Sequence, residues 1–178
     1  MERINYFFEK SVGENGLFRE IIDYRLEVPC VNRTDVIDYI YRLYRFEEHL
    51  YITDIFPRMF ADDNKCFQRF TSHEGYSVNM KQLSVTCLEI FIDEIIKKDI
   101  DNVMVVSGSY ETGEDSTKPS RKLRLYRYFF LPLLDKLNLD VLDMPERNAF
   151  MLFSKASSQD RQDIKDCYIR FKNTQHNE

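Results

Sequence analysis

The sequence predicts an α/β or α+β fold in which a single mixed sheet is flanked by helices. Residues 79–98 place apolar side chains on one face of a helix, with Lys97 and Lys98 at its C-terminal end. Residues 103–106 are a short, wholly apolar run, typical of a fully buried central strand. Residues 140–155 contain two strand-like runs joined by a turn that begins at Pro145, which predicts a β-hairpin.

Length, charge and cysteine spacing limit the classes of protein. The 178 residues are enough for one globular domain over 1–178, divided into a mainly helical part (1–60), an α/β part (61–156) and a C-terminal helix and tail (157–178). The net charge of -5 disfavours binding to nucleic acid or to an anionic membrane by bulk charge. The four cysteines are scattered without metal-ligand spacing, so we predict neither a metal site nor a disulfide framework.

The chain has no apolar run long enough to span a membrane, and its N-terminus lacks the apolar core of a signal peptide. We therefore expect a soluble, cytoplasmic protein.

The first 60 residues are predicted to be mainly helical. Residues 1–33 have apolar spacings that suit short helices, although residues 24–28 also suit an extended segment. Residues 34–54 carry apolar side chains at the i, i+3, i+4, i+7 spacing of an amphipathic helix that ends before Pro57. Residues 66–78 are rich in aromatic and β-branched types around a turn, which predicts a strand or hairpin.

The remaining elements follow in order. Asn79 is expected to cap the helix that continues to residue 98, and the strand at 103–106 opens into a polar loop at 107–120. Ser120 is expected to cap a helix that runs to about Asn138, with a kink at Pro132. The hairpin strands lie at 140–144 and 149–155, and a last helix runs from Ser157 or Ser158 to about Phe171.

This order of elements over residues 66–155 resembles the second half of the GNAT acetyltransferase superfamily. The resemblance is carried by residues 82–98 leading into 102–109, by 122–139, and by the strand pair at 140–142 and 150–153. It implies a GNAT-like sheet, and acetyl-CoA as the substrate of any enzymatic activity.

Two chemical features of that family are absent from the sequence. Its helix after the central hairpin opens with R/Q-x-x-G-x-G/A, whose backbone N–H groups hold the pyrophosphate of acetyl-CoA, whereas residues 75–82 contain only Gly75. The family's proton-donating tyrosine would fall on Leu134, about two turns after Tyr126 and Tyr128. The fold expectation therefore stands, while the expectation of catalysis is weakened.

The best candidate binding site is the polar loop with the helix that follows it. Ligands in open α/β sheets bind beyond the carboxyl ends of strands and at helix N-termini. A site for an anion, or for another ligand, would be formed by Ser107, Ser109, Tyr110, Lys118, Arg121, Lys122 and Arg124. The alternative is a solvated helix face whose cations pair with the nearby Glu111, Glu114 and Asp115.

A second candidate surface lies on the helix expected at 34–54. Its aromatic residues do not share one helical face, because Tyr41 lies about 200° around the helix from Tyr39. Exposed tyrosines beside Arg42 and Arg45 are typical of a protein interface.

The sequence favours a non-catalytic protein that acts through a protein partner or through self-association, with no cofactor. No hydrolase, zincin, P-loop or calcium-loop motif occurs, and we assign no catalytic residue. The first alternative is an acyl-CoA-dependent N-acyltransferase with a divergent cofactor loop. A weaker alternative is a nucleic-acid-binding accessory protein that uses the basic helix start.

Overall fold

The computed structural model of the protein describes residues 4–63, 74–110 and 113–175. Its core is one mixed sheet of seven strands in the order β1-β2-β3-β4-β5-β7-β6. The strands are β1 Asn5–Val12, β2 Glu20–Pro29, β3 Val36–Phe46, β4 Leu50–Pro57, β5 Val103–Ser107, β6 Leu139–Met144 and β7 Ala149–Ser154. The helices are α1 Met80–Phe91, α2 Arg121–Phe130 and α3 Arg161–Gln175. This sheet with its three helices confirms the predicted fold class.

The prediction of a mainly helical part over residues 1–60 was wrong. Strands β1 to β4 form an antiparallel meander there. The segment expected as one helix at 34–54 contains all of β3, a turn and the first five residues of β4. Both faces of β3 carry large apolar or aromatic side chains, such as Tyr41 on one face and Ile40 on the other. A strand covered on both faces also satisfies the i, i+3, i+4 spacing, and its β-branched and aromatic residues favour a strand. Of residues 1–33, only the extended alternative at 24–28 was right.

The expected helix caps of the second half are present, but the helix expected to run to about Asn138 ends at Phe130. Asn79 caps α1 by accepting the Gln82 backbone N–H at 3.1 Å, and one π-helical turn, Ile92–Ile96, extends the helix. Ser120 caps α2 by accepting the Leu123 N–H at 3.2 Å. The α-helix stops before Pro132, which lies in a short 3₁₀ turn, because proline has no N–H to continue the hydrogen-bond ladder.

The predicted central strand, hairpin and final helix are also found. Strand β5 lies between β4, with which it is parallel, and β7, with which it is antiparallel. Strands β6 and β7 form the hairpin, and α3 begins and ends a few residues later than predicted. Most of the strand or hairpin predicted at 66–78 lies outside the described residues.

Helices cover the two faces of the sheet unequally. Helices α1 and α2 pack on one face, where Leu83 and Leu123 join the larger apolar cluster. Helix α3 covers the other face near β4, β5 and β7, where Tyr168 and Phe171 join a second cluster. The ends of β4 and β5 therefore lie between helices of both layers.

Among the described helices, none is both long enough and apolar enough to cross a membrane.

Candidate functional site

The pairing between β4 and β5 ends part-way along both strands. The two strands are matched at three positions, Leu50 with Val103, Tyr51 with Met104, and Ile52 with Val105. One residue further on, the Thr53 hydroxyl donates a hydrogen bond to the Val105 carbonyl at 2.9 Å, which takes the place of a ladder bond. Beyond this point the sheet has a gap between the carboxyl ends of its only parallel pair among the described strands.

After the last β4–β5 pair, each of the two strands stays hydrogen-bonded to the strand on its other side. Strand β4 remains paired with β3 as far as Pro57, where its partner is Tyr39. Strand β5 remains paired with β7 as far as Ser107, where its partner is Ala149. The gap therefore lies between two strands that are each still paired on the outer side.

Two cavities meet at this gap, one on each face of the sheet. The larger has a volume of about 240 Å³ and lies on the α3 side, where Tyr168, Phe171 and Lys172 contribute to its wall. The smaller, of about 30 Å³, lies on the side of α1 and α2 and is lined by Ser84 and Tyr126 among others. Asp54, Ser107 and Lys122 line both cavities, so these three residues mark the passage from one face to the other.

Asp54 ends a row of alternating charges that crosses four strands. Lys10 of β1 lies 3.4 Å from Asp23 of β2, which is buried and receives two hydrogen bonds, of 2.6 and 2.8 Å, from Arg42 of β3. Arg42 is in turn the cross-strand neighbour of Asp54 on β4. Arg42 already forms a bidentate pair with Asp23, so its positive charge is shared between the two carboxylates.

The enclosure of Asp54 changes its acidity. Burial raises the pKa of its carboxyl, although Lys122, Arg42 and Lys172 act in the opposite direction. Burial also lowers the pKa of Lys172, while Asp54 partly restores it. A carboxylate whose pKa is raised is a stronger base than an exposed one, and it is therefore better suited to accept a proton from a reacting group.

Two further titratable groups line the narrow cavity, the hydroxyl of Tyr126 and the thiol of Cys87. Burial raises the pKa of the Tyr126 hydroxyl, which therefore stays protonated and can donate a hydrogen bond, although it is a weak acid. Burial also raises the pKa of Cys87, so its thiol stays protonated and is a poor nucleophile.

A buried asparagine holds the end of β5 against the start of α2. Asn148 has a positive φ of 49°, and its side-chain amide donates to the Gly108 carbonyl at 2.8 Å and accepts the Ser120 N–H at 2.8 Å. Its own carbonyl accepts the Gly108 N–H at 2.9 Å. A Cβ at Gly108 would collide with Ser120 and would lie 2.9 Å from Asn148. Residue 108 must therefore be glycine, because Ser120 and Asn148 approach its Cα too closely for a Cβ. The same contacts fix the position of the Ser107 end of the gap.

We expect Asn148→Gly to destabilise the protein by about 1–3 kcal/mol, because two buried backbone groups lose their partner while glycine still tolerates the positive φ. The matched control is Asn138→Gly, since Asn138 also has a positive φ of 54° but is exposed. The control should stay within about 0.5 kcal/mol of the parent in urea unfolding. Equal midpoints for both variants would contradict this role of Asn148.

The predicted loop and helix residues are divided between the gap and the outer surface. Ser107 and Lys122 line both cavities, and Ser109 lines the larger one. Tyr110 instead closes the loop, because its hydroxyl donates to the carbonyls of Ser116 and Lys118 at 3.3 and 3.0 Å.

The other three cations of the predicted site lie on the exposed side. Lys118 pairs with Asp115 at 3.2 Å, and the Arg124 guanidinium donates to the Pro119 carbonyl at 3.1 Å. Arg121 is exposed, and its backbone N–H donates to the Glu114 carboxylate at 2.7 Å. Of these three contacts, the Lys118–Asp115 pair is the kind that the alternative interpretation of a solvated, acid-paired face expects.

The tyrosines proposed as an interface do not have the exposure that the prediction requires. Tyr39 and Tyr41 are buried in the apolar cluster beneath α1 and α2. Arg42 lies on the opposite face, where it binds Asp23, whereas Arg45 lies on the same face as the two tyrosines and pairs with Glu20 at 3.5 Å. The correction follows from the strand geometry, which sends successive side chains to opposite faces.

Sequence reasoning missed Asp54, Tyr168 and Lys172. Asp54 was placed in the expected helix, although a single carboxylate within the apolar run 50–56 is unusual for a buried strand and could have been noticed. Tyr168 and Lys172 belong to a polar terminal helix, and nothing in their local sequence shows that they reach the gap.

Within the described ranges, no group of three or more His, Cys, Asp or Glu residues could hold a metal ion. Comparison with protein-family models, with curated proteins and with solved structures gives no match for this chain.

Proposed function

We propose that the protein is an N-acyltransferase of GNAT type, which transfers an acyl group from a thioester such as acetyl-CoA to an amine. The observation that carries the proposal is the gap between β4 and β5, where Asp54, Ser107 and Lys122 line cavities on both faces of the sheet. Two substrates could reach the gap from opposite faces and meet beside the same carboxylate. The proposal is also supported by the mixed sheet, in which β4 and β5 are the single parallel pair among the described strands.

The reaction removes a proton from the amine and adds one to sulfur, and residues at the gap can assist both steps. A C–N bond forms, the C–S bond of the thioester breaks, one proton leaves the amine nitrogen and one proton is taken up by sulfur. Asp54 would accept the proton from nitrogen, since its raised pKa makes it a stronger base than an exposed aspartate. Tyr126 would donate a hydrogen bond to the leaving sulfur, and the sulfur would take its proton from water, because burial makes the Tyr126 hydroxyl too weak an acid to give up its own.

The residues of the narrow cavity suit the acyl end of the thioester. Its wall is largely apolar, with Met104, Val106 and Phe130, and it adds the hydroxyls of Thr53 and Ser84. The start of α1 suits the nucleotide end less well, because the Asn79 side chain already occupies the Gln82 N–H. We therefore assign the acyl end to the gap and assign no residues to the pyrophosphate.

Calorimetry with acetyl-CoA tests the proposal directly. We expect a saturable dissociation constant tighter than about 10 μM, equivalent to roughly 7 kcal/mol. Ser84→Leu should fill the narrow cavity and weaken this affinity at least tenfold. The matched control is Thr86→Leu, because Thr86 is equally buried on α1 but does not line the cavity.

The control should bind acetyl-CoA like the parent, and thermal unfolding should show that both variants are folded. An absence of saturable binding to the parent would overturn the proposal. Equal weakening by both leucine variants would also overturn it, because the cavity would then have no special part in binding.

A further inference from the structure

The larger cavity has the size and position of a site for a small organic molecule. Its volume of about 240 Å³ is far more than one water needs and is near the lower end of ligand pockets. It is bounded by the ends of β4 and β5 and by the last turns of α3. Ile52 and Phe171 form its apolar part.

A buried hydroxyl in the wall has no partner in the described structure. Tyr168 is 0% exposed, and its hydroxyl makes no hydrogen bond with any described residue. Leaving such a group unsatisfied costs about 1–3 kcal/mol, so buried hydroxyls normally have partners. Because Tyr168 lines the cavity, a polar group of a bound ligand could supply the missing partner.

The charged side chains around the cavity are of both signs. Asp54 and Lys122 lie at the passage, since they line both cavities, whereas Lys172 and Tyr168 line the larger one only. A simple amine bound at Asp54 would bring a third cation beside two lysines. A simple anion bound at the lysines would face the Asp54 carboxylate. A ligand with one charge of each sign avoids both costs.

We propose that this cavity binds a small molecule carrying both an amine and a carboxylate, of the amino acid class, and that this molecule is the acyl acceptor. The amine lies at Asp54, next to the passage to the narrow cavity. The carboxylate lies on the α3 side of the larger cavity, where Lys172 can pair with it and the Tyr168 hydroxyl can donate to it. This inference rests on the proposed acyltransferase function, because that function requires an amine at the gap.

The binding test uses the full chain and the twenty common L-amino acids, first by thermal shift and then by calorimetry. For the amino acid that binds best, we compare the amine that lacks its carboxylate and the acid that lacks its amine. We expect saturable binding of the amino acid, and at least tenfold weaker binding of both analogues. Equal binding of the amine analogue, or no binding of any amino acid, would overturn the inference.

Variants of α3 identify the carboxylate partner. Lys172→Gln should weaken amino acid binding at least tenfold while leaving acetyl-CoA affinity at the parent value. The matched control is Lys165→Gln, because Lys165 lies on the same helix and does not line the cavity. Tyr168→Phe should also weaken amino acid binding. Parent-like amino acid binding by both Lys172→Gln and Tyr168→Phe would overturn the assignment.

The measurement with acetyl-CoA separates the two proposals. Acetyl-CoA binding without amino acid binding would refute only the acceptor class. Amino acid binding without acetyl-CoA binding would refute the acyltransferase function, and with it the role of this molecule as an acceptor.

Discussion

Val105→Asp should destabilise the protein by several kcal/mol and reduce or abolish folding at 37 °C. Val105 is 0% exposed at the centre of β5, paired with Ile52 on one side and with Met151 on the other. An aspartate there would place an unpaired charge in the apolar cluster under α3, where nothing compensates its lost hydration. Urea unfolding followed by circular dichroism measures the loss.

The matched control is Val36→Asp, at the start of β3. Val36 is 55% exposed, so the same change of side chain should alter the unfolding free energy by no more than about 0.5 kcal/mol. An unfolding midpoint of Val105→Asp within error of the parent would show that β5 is not central and that the strand order is wrong.

Asp54→Asn should lower N-acyltransferase activity by about 10²–10⁴, the usual contribution of a general base. The same substitution should raise stability at neutral pH by about 0.5–2 kcal/mol, because a neutral amide replaces a carboxylate whose ionisation burial opposes. Release of free thiol from acetyl-CoA in a mixed pool of amines measures activity, and urea unfolding measures stability. Opposite changes in activity and stability distinguish a working base from a structural residue.

The ionisation of Asp54 makes both the stability of the protein and its activity depend on pH. The folded pKa of Asp54 lies above its unfolded value, so between these two values the folded state binds more protons and stability falls as pH rises. This decrease should be complete above the folded pKa and should be absent in Asp54→Asn. Activity should change in the opposite direction, increasing with pH through the folded pKa as the carboxylate becomes available.

Asp38→Asn is the control for this substitution, because Asp38 lies on β3 away from both cavities and pairs with Arg25 at 3.8 Å. It should leave activity unchanged. A parent-like rate for Asp54→Asn would exclude Asp54 as the base, and a large loss of stability would show that its carboxylate is structurally required.

The elements of the second half could be predicted from local sequence because their signals are local. The side chains of Asn79 and Ser120 each accept a hydrogen bond from the backbone N–H three residues ahead. Pro132 ends the α-helix because it has no backbone N–H. These effects act within one helical turn, so they do not depend on the rest of the chain.

The first half could not be assigned in the same way. Its apolar residues satisfy helix spacing and strand alternation together, since β3 buries side chains on both faces. The choice is made by non-local pairing, as β2 and β4 supply hydrogen bonds along most of the length of β3. Such partners are distant in sequence and leave no pattern within the strand itself.

By itself the sequence determined the fold class, the helix caps of the second half and the central strand, all of which depend on short-range patterns. It also pointed to Ser107, Ser109 and Lys122, because polar residues after a buried strand lie at a sheet edge. Only the tertiary structure decided that Asp54, Tyr168 and Lys172 join them. The physical reason is that β4 and β5 stop pairing after Ile52 and Val105 while each continues along its outer neighbour, and the gap this leaves brings together side chains that are more than a hundred residues apart in the chain.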